Sequence, residues 1–207
     1  MAGELELLDW RRHVAELYSA VRAESDPSRG HAMWRAGRDH LFRTHPQSPL
    51  PAGDPLRRTG LPYWPYDPAM RFELALRSAP EAGGRRAIPV SDEDSTAMVL
   101  IGCVELPPPA DAVVDVWWLE QYAGGIFLPI RDGSAGTESY GGGRYALDTS
   151  KGADLGGGLD HLVVDLNFLY HPSCRYDSRW LCPLAPPGNT ISAVVTAGER
   201  MRPLAQN

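Results

Sequence analysis

The chain carries a single lysine, Lys151, and only three cysteines in 207 residues. Its long apolar runs are missing too, and each scarcity excludes something. An odd, small number of cysteines cannot build a disulfide framework, so the thiols are read as mostly reduced and the compartment as cytoplasmic. No stretch approaches the roughly 18 apolar residues of a transmembrane helix. The opening residues MAGELELLDW are acidic and amphipathic, where a signal peptide would be basic and then apolar. Cations are sparse and scattered, in pairs such as Arg11-Arg12, Arg57-Arg58 and Arg85-Arg86, and the net charge is −6. Binding to nucleic acid rests on clustered cations that release counterions, so no nucleic-acid partner is expected. No Gly-Lys-Ser/Thr phosphate loop, dinucleotide fingerprint or internal repeat occurs.

What remains is a chain of ordinary globular composition, 43% hydrophobic and 22% charged, long enough for one sizeable core. A single domain is expected, with N-terminal helices over residues 1–45, a proline-rich strap over 46–70 and a β-barrel over 71–200. Leu7, Trp10, Val14, Leu17 and Val21 recur at three- and four-residue steps. They form one apolar stripe of a helix over Glu4–Glu24, stopped by Asp26-Pro27. Met33, Trp34, Leu41 and Phe42 mark a second, shorter helix ended by His45-Pro46. Six prolines between Pro49 and Pro68 then describe an extended strap, pinned by Tyr63, Trp64 and Tyr66.

From Arg71 onward short β runs alternate with turn residues. The runs are Arg71–Arg77, Arg86–Val90, Thr96–Leu106, Ala112–Gln121, Gly125–Arg131, Arg144–Asp148, His161–Phe168 and Ile191–Thr196. No sustained helical pattern separates them, which argues against a parallel α/β sheet. The fold class is therefore mainly β (α+β): an antiparallel barrel or split barrel preceded by one or two helices.

Candidate chemistry concentrates between Tyr140 and Asn189. In the strand from His161, alternation puts His161, Val163, Asp165 and Asn167 on one face and Leu162, Val164, Leu166 and Phe168 on the other. The second face is core. The first is either a solvated face or, given Tyr170, His171, Cys174, Tyr176, Trp180 and Cys182 just beyond, the wall of a pocket. His171-x-x-Cys174 with Cys182 lacks the second close pair of a zinc site, so no metal is assigned. Buried free thiols, a Cys174–Cys182 bridge and a Cys174/imidazole nucleophilic pair all remain open. Gly141-Gly-Gly reads as a tight hairpin, and its neighbours Tyr140 and Arg144 as ligand contacts. Trp117 and Trp118 must face opposite ways. Asp115, on the Trp117 face, would pair with Asp165 for acid/base work if both met in one cavity.

Four blocks carry a family resemblance. They are Trp34-Arg-x-x-Arg-Asp-x-x-Phe with Ser48-Pro-Leu; Gly60-Leu-x-Tyr with Asp67-Pro; Gly136-Thr-x-x-Tyr-Gly-Gly-Gly-Arg-Tyr; and Asp165-x-Asn-x-x-Tyr-x-Pro-x-Cys-x-Tyr, continuing to Cys182-Pro-Leu-Ala-Pro-Pro-x-Asn and Ala197-Gly-Glu. Through them the chain resembles the bacterial and archaeal family called domain of unknown function 1684. The resemblance implies a shared fold and almost no chemistry. It singles out Tyr140, Arg144, Asp165, Asn167, Cys174 and Asn189. It also marks a departure, since this chain has His171 where typical members have asparagine before the proline.

The leading expectation is a protein that binds a small organic molecule in a barrel cavity, and acts on it as a metal-independent enzyme. Asp165, His171, Tyr140 and Cys174 are its catalytic candidates; Arg144, Asn167, Tyr170, Asn189 and Trp117 are its binding candidates. Cyclisation, isomerisation or hydrolysis would need only shape and proton transfer. One alternative is a split barrel holding FMN or haem, the leading reading having no cofactor. The other is a non-catalytic module, with the N-terminal helix packed on a second copy as a homodimer.

Overall fold

The computed structural model describes residues 2–89, 95–120 and 122–201. Helix α1 spans Ala2–Ala23 and α2 spans Pro27–Thr44. Asp26-Pro27, read as a stop, also starts the next helix, which is longer than its apolar spacing suggested. The Asp26 carboxylate accepts from the N–H groups of Ser28 (2.9 Å) and Arg29 (3.3 Å). Pro27 occupies the first helical position, where a missing N–H costs nothing. The two helices cross closely at Gly37, where a Cβ would lie 2.7 Å from Leu17 Cδ1.

The strap contains one short helix, α3, Leu56–Thr59, and a 3-10 turn at Pro68–Met70. Its middle is stitched to the C-terminal segment: Trp64 N–H donates to Gly198 O (3.0 Å) and Arg200 N–H to Pro62 O (2.9 Å). Trp64 is buried, so the aromatics pin the strap as expected.

The strands are β1 Arg71–Ala75, β2 Arg85–Pro89, β3 Ser95–Leu106, β4 Ala112–Leu119, β5 Ile126–Ile130, β6 Arg144–Asp148 and β7 His161–Asp165. They form two antiparallel sheets, one of five strands in the order β2-β3-β4-β5-β6 and one of two, β1-β7. Among the described residues, isolated bridges join residues flanking the small sheet to the large one, Arg77–Cys103 at one side and Tyr145–Tyr170 at the other. The fold is thus α+β, and the ladders do not close into the continuous barrel that was one expectation. Nor is there a barrel cavity. The space is filled by Val104, Val114, Val116, Leu128, Ile130, Leu147, Val164 and Leu166, all buried.

Several strand expectations need correction or trimming; β1 stops at Ala75, short of Arg77, and β5 spans only Ile126–Ile130. Residues Ile191–Thr196 are not a strand; they run irregularly beside 131–133, bonded through Arg131, Gly133 and Asp132. β7 ends at Asp165, and the 3-10 turn Leu166–Phe168 follows. Alternation therefore holds only to Asp165. Phe168 rotates out of the core face and packs with Val163 beneath the helices. Val90 and Gln121, the expected ends of two strands, lie outside the described residues. Trp117 is fully buried and Trp118 41% exposed, as opposite faces of β4 require.

The helices cover the outer side of β6 and β7. Tyr18, Val21 and Trp34 pack with Ala153, Leu155, Val163 and Phe168. The apolar stripe of α1 is thus used on its own domain. At its seat the loop after β6 comes close, for Gly152 has φ +80° and a Cβ there would meet the Ala15 backbone at 3.2 Å.

Candidate functional site

Beneath α1 the helical stripe does not close fully on the sheet. A cavity of about 260 Å³ remains, lined mostly by apolar and aromatic side chains. Leu7, Trp10, Val14, Leu17 and Tyr18 of α1 form its roof. Trp34 and Arg38, four residues apart and so on one face of α2, share the floor with Tyr145 of β6 and Tyr170. These two tyrosines are held together by the bridge that joins the sheets, Tyr145 N–H to Tyr170 O at 2.9 Å and the reverse at 3.1 Å. Lys151, Ser173, Trp180 and Cys182 complete the lining.

The polar atoms of this cavity are mostly donors. The Tyr18 hydroxyl and the Trp34 indole N–H lie close enough to influence each other, yet both are buried without a partner of hydrogen-bonding geometry. Burial, with Asp148 nearby, holds the Tyr18 and Tyr170 phenols neutral well above their ordinary range, against the pull of Arg38. Asp148 itself binds Lys151 Nζ through Oδ2 (3.2 Å), while its Oδ1 has no partner. Arg38 lies over the rings of Trp34 (5.1 Å), Phe42 (4.9 Å) and Tyr170 (4.9 Å). A cation held on aromatic faces keeps its charge available in an apolar setting.

Arg38 is fixed from behind by Glu199. Its Nη2 donates to Glu199 Oε2 at 2.7 Å and its Nε to the Tyr63 hydroxyl at 3.0 Å. Glu199 also accepts from the backbone N–H of His171 (3.0 Å) and from the Tyr176 hydroxyl. Burial would raise its pKa, but Arg38, His171 and Tyr176 outweigh that and draw it down to about 2. His171 has both ring nitrogens engaged. Nε2 accepts the Tyr140 N–H at 3.1 Å, so the proton sits on Nδ1, 3.3 Å from Glu199 Oε1. Burial lowers the His171 pKa despite Glu199. An asparagine can supply the same acceptor and donor, so this histidine serves here as a neutral strut, with no lone pair left for base chemistry.

A second feature adjoins the cavity. Cys174 and Cys182 are free thiols near enough to perturb each other's ionisation. The neighbouring Cys174 and the Lys151 ammonium lower the Cys182 pKa against burial. Cys182 and burial raise that of Cys174, with Tyr140 nearby.

The other sequence candidates lie in structural networks away from the cavity. Asn167 is a clasp between β7 and the strap: Nδ2 donates to Asp67 O (2.8 Å) and Asp165 Oδ1 (2.8 Å), and Oδ1 accepts from Asp67 N (2.9 Å). Asp165 Oδ2 has no partner, and Arg71 is 4.0 Å away. Burial, against the Asn167 bonds and Arg71, lifts its pKa to about 6. It faces a separate hollow of about 100 Å³ beside Arg22 and Glu24. Arg144 is buried, donating to Ala197 O, Glu199 O, Val195 O and Asp132 Oδ2. It fastens the C-terminal segment. Asn189 accepts from Trp117 Nε1 (2.8 Å) and donates to Asp115 O (2.7 Å) and Pro129 O (2.9 Å), clamping β4 to β5. The charged groups that act on Asp115 are Arg86 and Glu81, whereas Asp165 feels Arg71. The three glycines make the tight turn into β6, with Gly143 N–H bonded to Tyr140 O at 2.9 Å.

Among the described residues, Asp9, His13 and His45 also bring three ligand-type atoms within 4.8 Å. His45 Nδ1 accepts the Gln47 N–H (3.0 Å), so its proton is on Nε2, 3.3 Å from Asp9 Oδ2. That nitrogen has no lone pair to give a cation. The group is a hydrogen-bonded clip between α1 and the end of α2.

Residues 58–200 match the family model described as protein of unknown function (DUF1684). The chain belongs to this family. Among solved structures it is similar to the uncharacterized protein of Haloarcula marismortui determined by solution NMR. The identity is 32%, over 81% of this chain and 90% of that one, with a TM-score of 0.56. No curated protein matches significantly. The DUF1684 match begins after the first block read from the sequence, but the structure ties that block to the last one through Arg38 and Glu199.

Of the nine candidates, Tyr170 and His171 line the cavity, and Cys174 and Tyr140 lie near Cys182, which also lines it. Tyr18, Trp34, Arg38, Tyr145, Lys151 and Cys182 were not chosen. Trp34, Arg38, Tyr145 and Cys182 stood in the blocks, and Lys151 was conspicuous as the only lysine. Tyr18 carried no signal beyond its place beside the helical stripe.

Proposed function

We propose that the protein binds a small aromatic or aliphatic acid in the cavity beneath α1. The carrying observation is the pair of buried donors, Tyr18 hydroxyl and Trp34 N–H, left without partners in an otherwise apolar enclosure. A buried donor without a partner costs about 1–3 kcal/mol, which an incoming acceptor would recover. Arg38 and Lys151 add positive charge for a carboxylate, and the aromatic walls suit a flat or branched body.

A volume of about 260 Å³ supports a ligand smaller than FMN or haem, since drug-sized ligands occupy about 300–1,000 Å³. The two sheets with their single bridges support a split-barrel description, with the ligand outside the barrel under its helical cover. The packing of the α1 stripe on its own domain favours this reading over the homodimer module.

The test is titration with 2-naphthoate, followed by tryptophan fluorescence and calorimetry. Saturable binding is expected. Tyr18→Phe should weaken it about five- to tenfold by removing one buried hydrogen bond, and Val14→Trp should abolish it by filling the roof. Absence of saturable binding, or a Val14→Trp variant that binds normally, would overturn the proposal.

A further inference from the structure

We propose that a groove between the strap and the C-terminal segment binds a zwitterionic amino acid with an apolar side chain, its carboxylate on Arg175 and Arg200 and its ammonium on Asp54. The groove holds about 380 Å³ and is separate from the cavity beneath α1, although His171 lines both. Its ligand is therefore independent of the acid read for that cavity.

Three observations carry it. The first is an arginine without an acceptor. Arg175 lines the groove, and its side chain makes no hydrogen bond or ion pair with any described residue. Its guanidinium lies over the Tyr176 ring, 5.4 Å from the centroid, and its Nε is buried without a partner. Arg200 repeats the arrangement over the buried Trp64 ring at 5.0 Å, again with its Nε buried and unpartnered. Among the described residues its one acid contact is Nη2 to Glu138 Oε1 at 3.3 Å, with Glu138 about half exposed. Such a surface pair contributes little. Stacking on a ring fixes a guanidinium by its face and leaves its donors in the plane for an oxyanion.

The second is a charge of opposite sign in the same groove. Asp54 lines it, with Oδ1 accepting the Leu56 N–H at 2.8 Å and Oδ2 free of any partner among the described residues. No ion pair joins Asp54 to Arg175 or Arg200. Charges of both signs thus line one space without closing on each other. A ligand of a single charge is drawn by one side and repelled by the other, whereas a zwitterion complements both.

The third is the rest of the lining. Pro55, Leu56, Pro62 and Met201 supply apolar surface for an aliphatic side chain. The volume lies within the roughly 300–1,000 Å³ of small-ligand sites. The walls are also tied in place: Arg200 N–H donates to Pro62 O at 2.9 Å and Met201 N–H to Glu138 O at 2.7 Å, and the Tyr176 hydroxyl is bonded to Glu199.

The probe is L-leucine, followed by calorimetry. Titrations are run with saturating 2-naphthoate and again in Val14→Trp, which closes the cavity beneath α1 by two routes. Leucine should bind saturably. 4-Methylpentanoate, which lacks the ammonium, and 3-methylbutylamine, which lacks the carboxylate, should each bind at least about tenfold more weakly. Arg175→Gln should weaken leucine binding by at least about tenfold. Asp54→Asn keeps the oxygen that accepts from Leu56, and should lower leucine affinity to that of 4-methylpentanoate. A merely structural role for Asp54 would weaken both ligands together.

Absence of saturable leucine binding overturns the proposal. So does an Asp54→Asn variant that still prefers leucine, an Arg175→Gln variant that binds it normally, or leucine that 2-naphthoate displaces. Naphthoate binding without leucine binding removes the groove alone. Leucine binding that depends on Arg175 and Asp54, with no naphthoate binding, removes the acid-binding reading alone.

Discussion

Replacing Asp165 with asparagine should stabilise the protein at neutral and alkaline pH and leave it unchanged in acid. Asp165 is 1% exposed. Its Oδ1 takes two hydrogen bonds from Asn167, and an amide oxygen can accept both. Its Oδ2 has no partner, and Arg71 at 4.0 Å is too far for a hydrogen bond. Burial therefore lifts the folded pKa from 3.8 to about 6. The sign follows. In the unfolded chain the group ionises near 3.8, in the folded protein only near 6, so ionisation opposes folding. The penalty is absent below about pH 3.8, grows between the two values, and is complete above pH 6. At about 1.36 kcal/mol per pH unit it reaches about 3 kcal/mol as an upper figure. Asparagine has no such penalty, and its unpartnered NH₂ replaces the equally unpartnered OH of the protonated acid. Urea unfolding of both proteins at pH 4 and pH 8 is the assay, because every other carboxylate cancels in the difference between them. The variant should match the parent at pH 4 and exceed it by about 1–3 kcal/mol at pH 8. A variant destabilised equally at both values would refute the reasoning, and would mean that the charge is used, with Arg71 as its partner.

Glu199→Gln should behave in the opposite sense. With its pKa drawn from 4.5 down to about 2, Glu199 contributes about 3 kcal/mol that is present above pH 4.5 and lost as pH falls toward 2. Urea midpoints should show the full loss at pH 7 and convergence with the parent in acid. Gly37→Ala tests the roof of the cavity. Its Cβ would displace Leu17, which lines the cavity, while the helix gains about 1 kcal/mol from losing a glycine. Stability should change by less than about 1 kcal/mol, yet 2-naphthoate affinity should fall by about tenfold as Leu17 swings into the ligand's space.

Several features were readable in the chain alone, because each depends on neighbours in sequence. The stripe Leu7, Trp10, Val14, Leu17 and Val21 defined α1 and its buried face. Alternation separated Trp117 from Trp118 and held Val163 and Val164 on opposite faces of β7. It failed at Phe168, where the Asp165 carboxylate binds the Asn167 N–H and the strand turns into a 3-10 helix. That is a local bond, yet nothing in the pattern announces it. Asp26-Pro27 was recognised as punctuation, though as a stop and not also as a cap.

The site belonged to the other kind of information. Density of polar residues drew attention to Asp165, Asn167, Arg144 and Asn189, but such residues are equally what a fold needs to tie its strap, its C-terminal segment and its sheet together. Only the tertiary structure tells a bonded polar group from an unsatisfied one, because that depends on partners far off in the chain. Asn167 meets Asp67, Arg144 meets Val195, and Glu199 meets Arg38. Tyr18 and Trp34 stay unpartnered although their chain neighbours differ in no visible way from those of satisfied residues. The sequence by itself determined which segments are apolar, extended or helical, through periodicity and backbone chemistry. Where α1 lies determined everything about the cavity: it covers the sheets from outside while aliphatic side chains fill the space between them, so the empty volume fell beneath a helix and not inside a barrel.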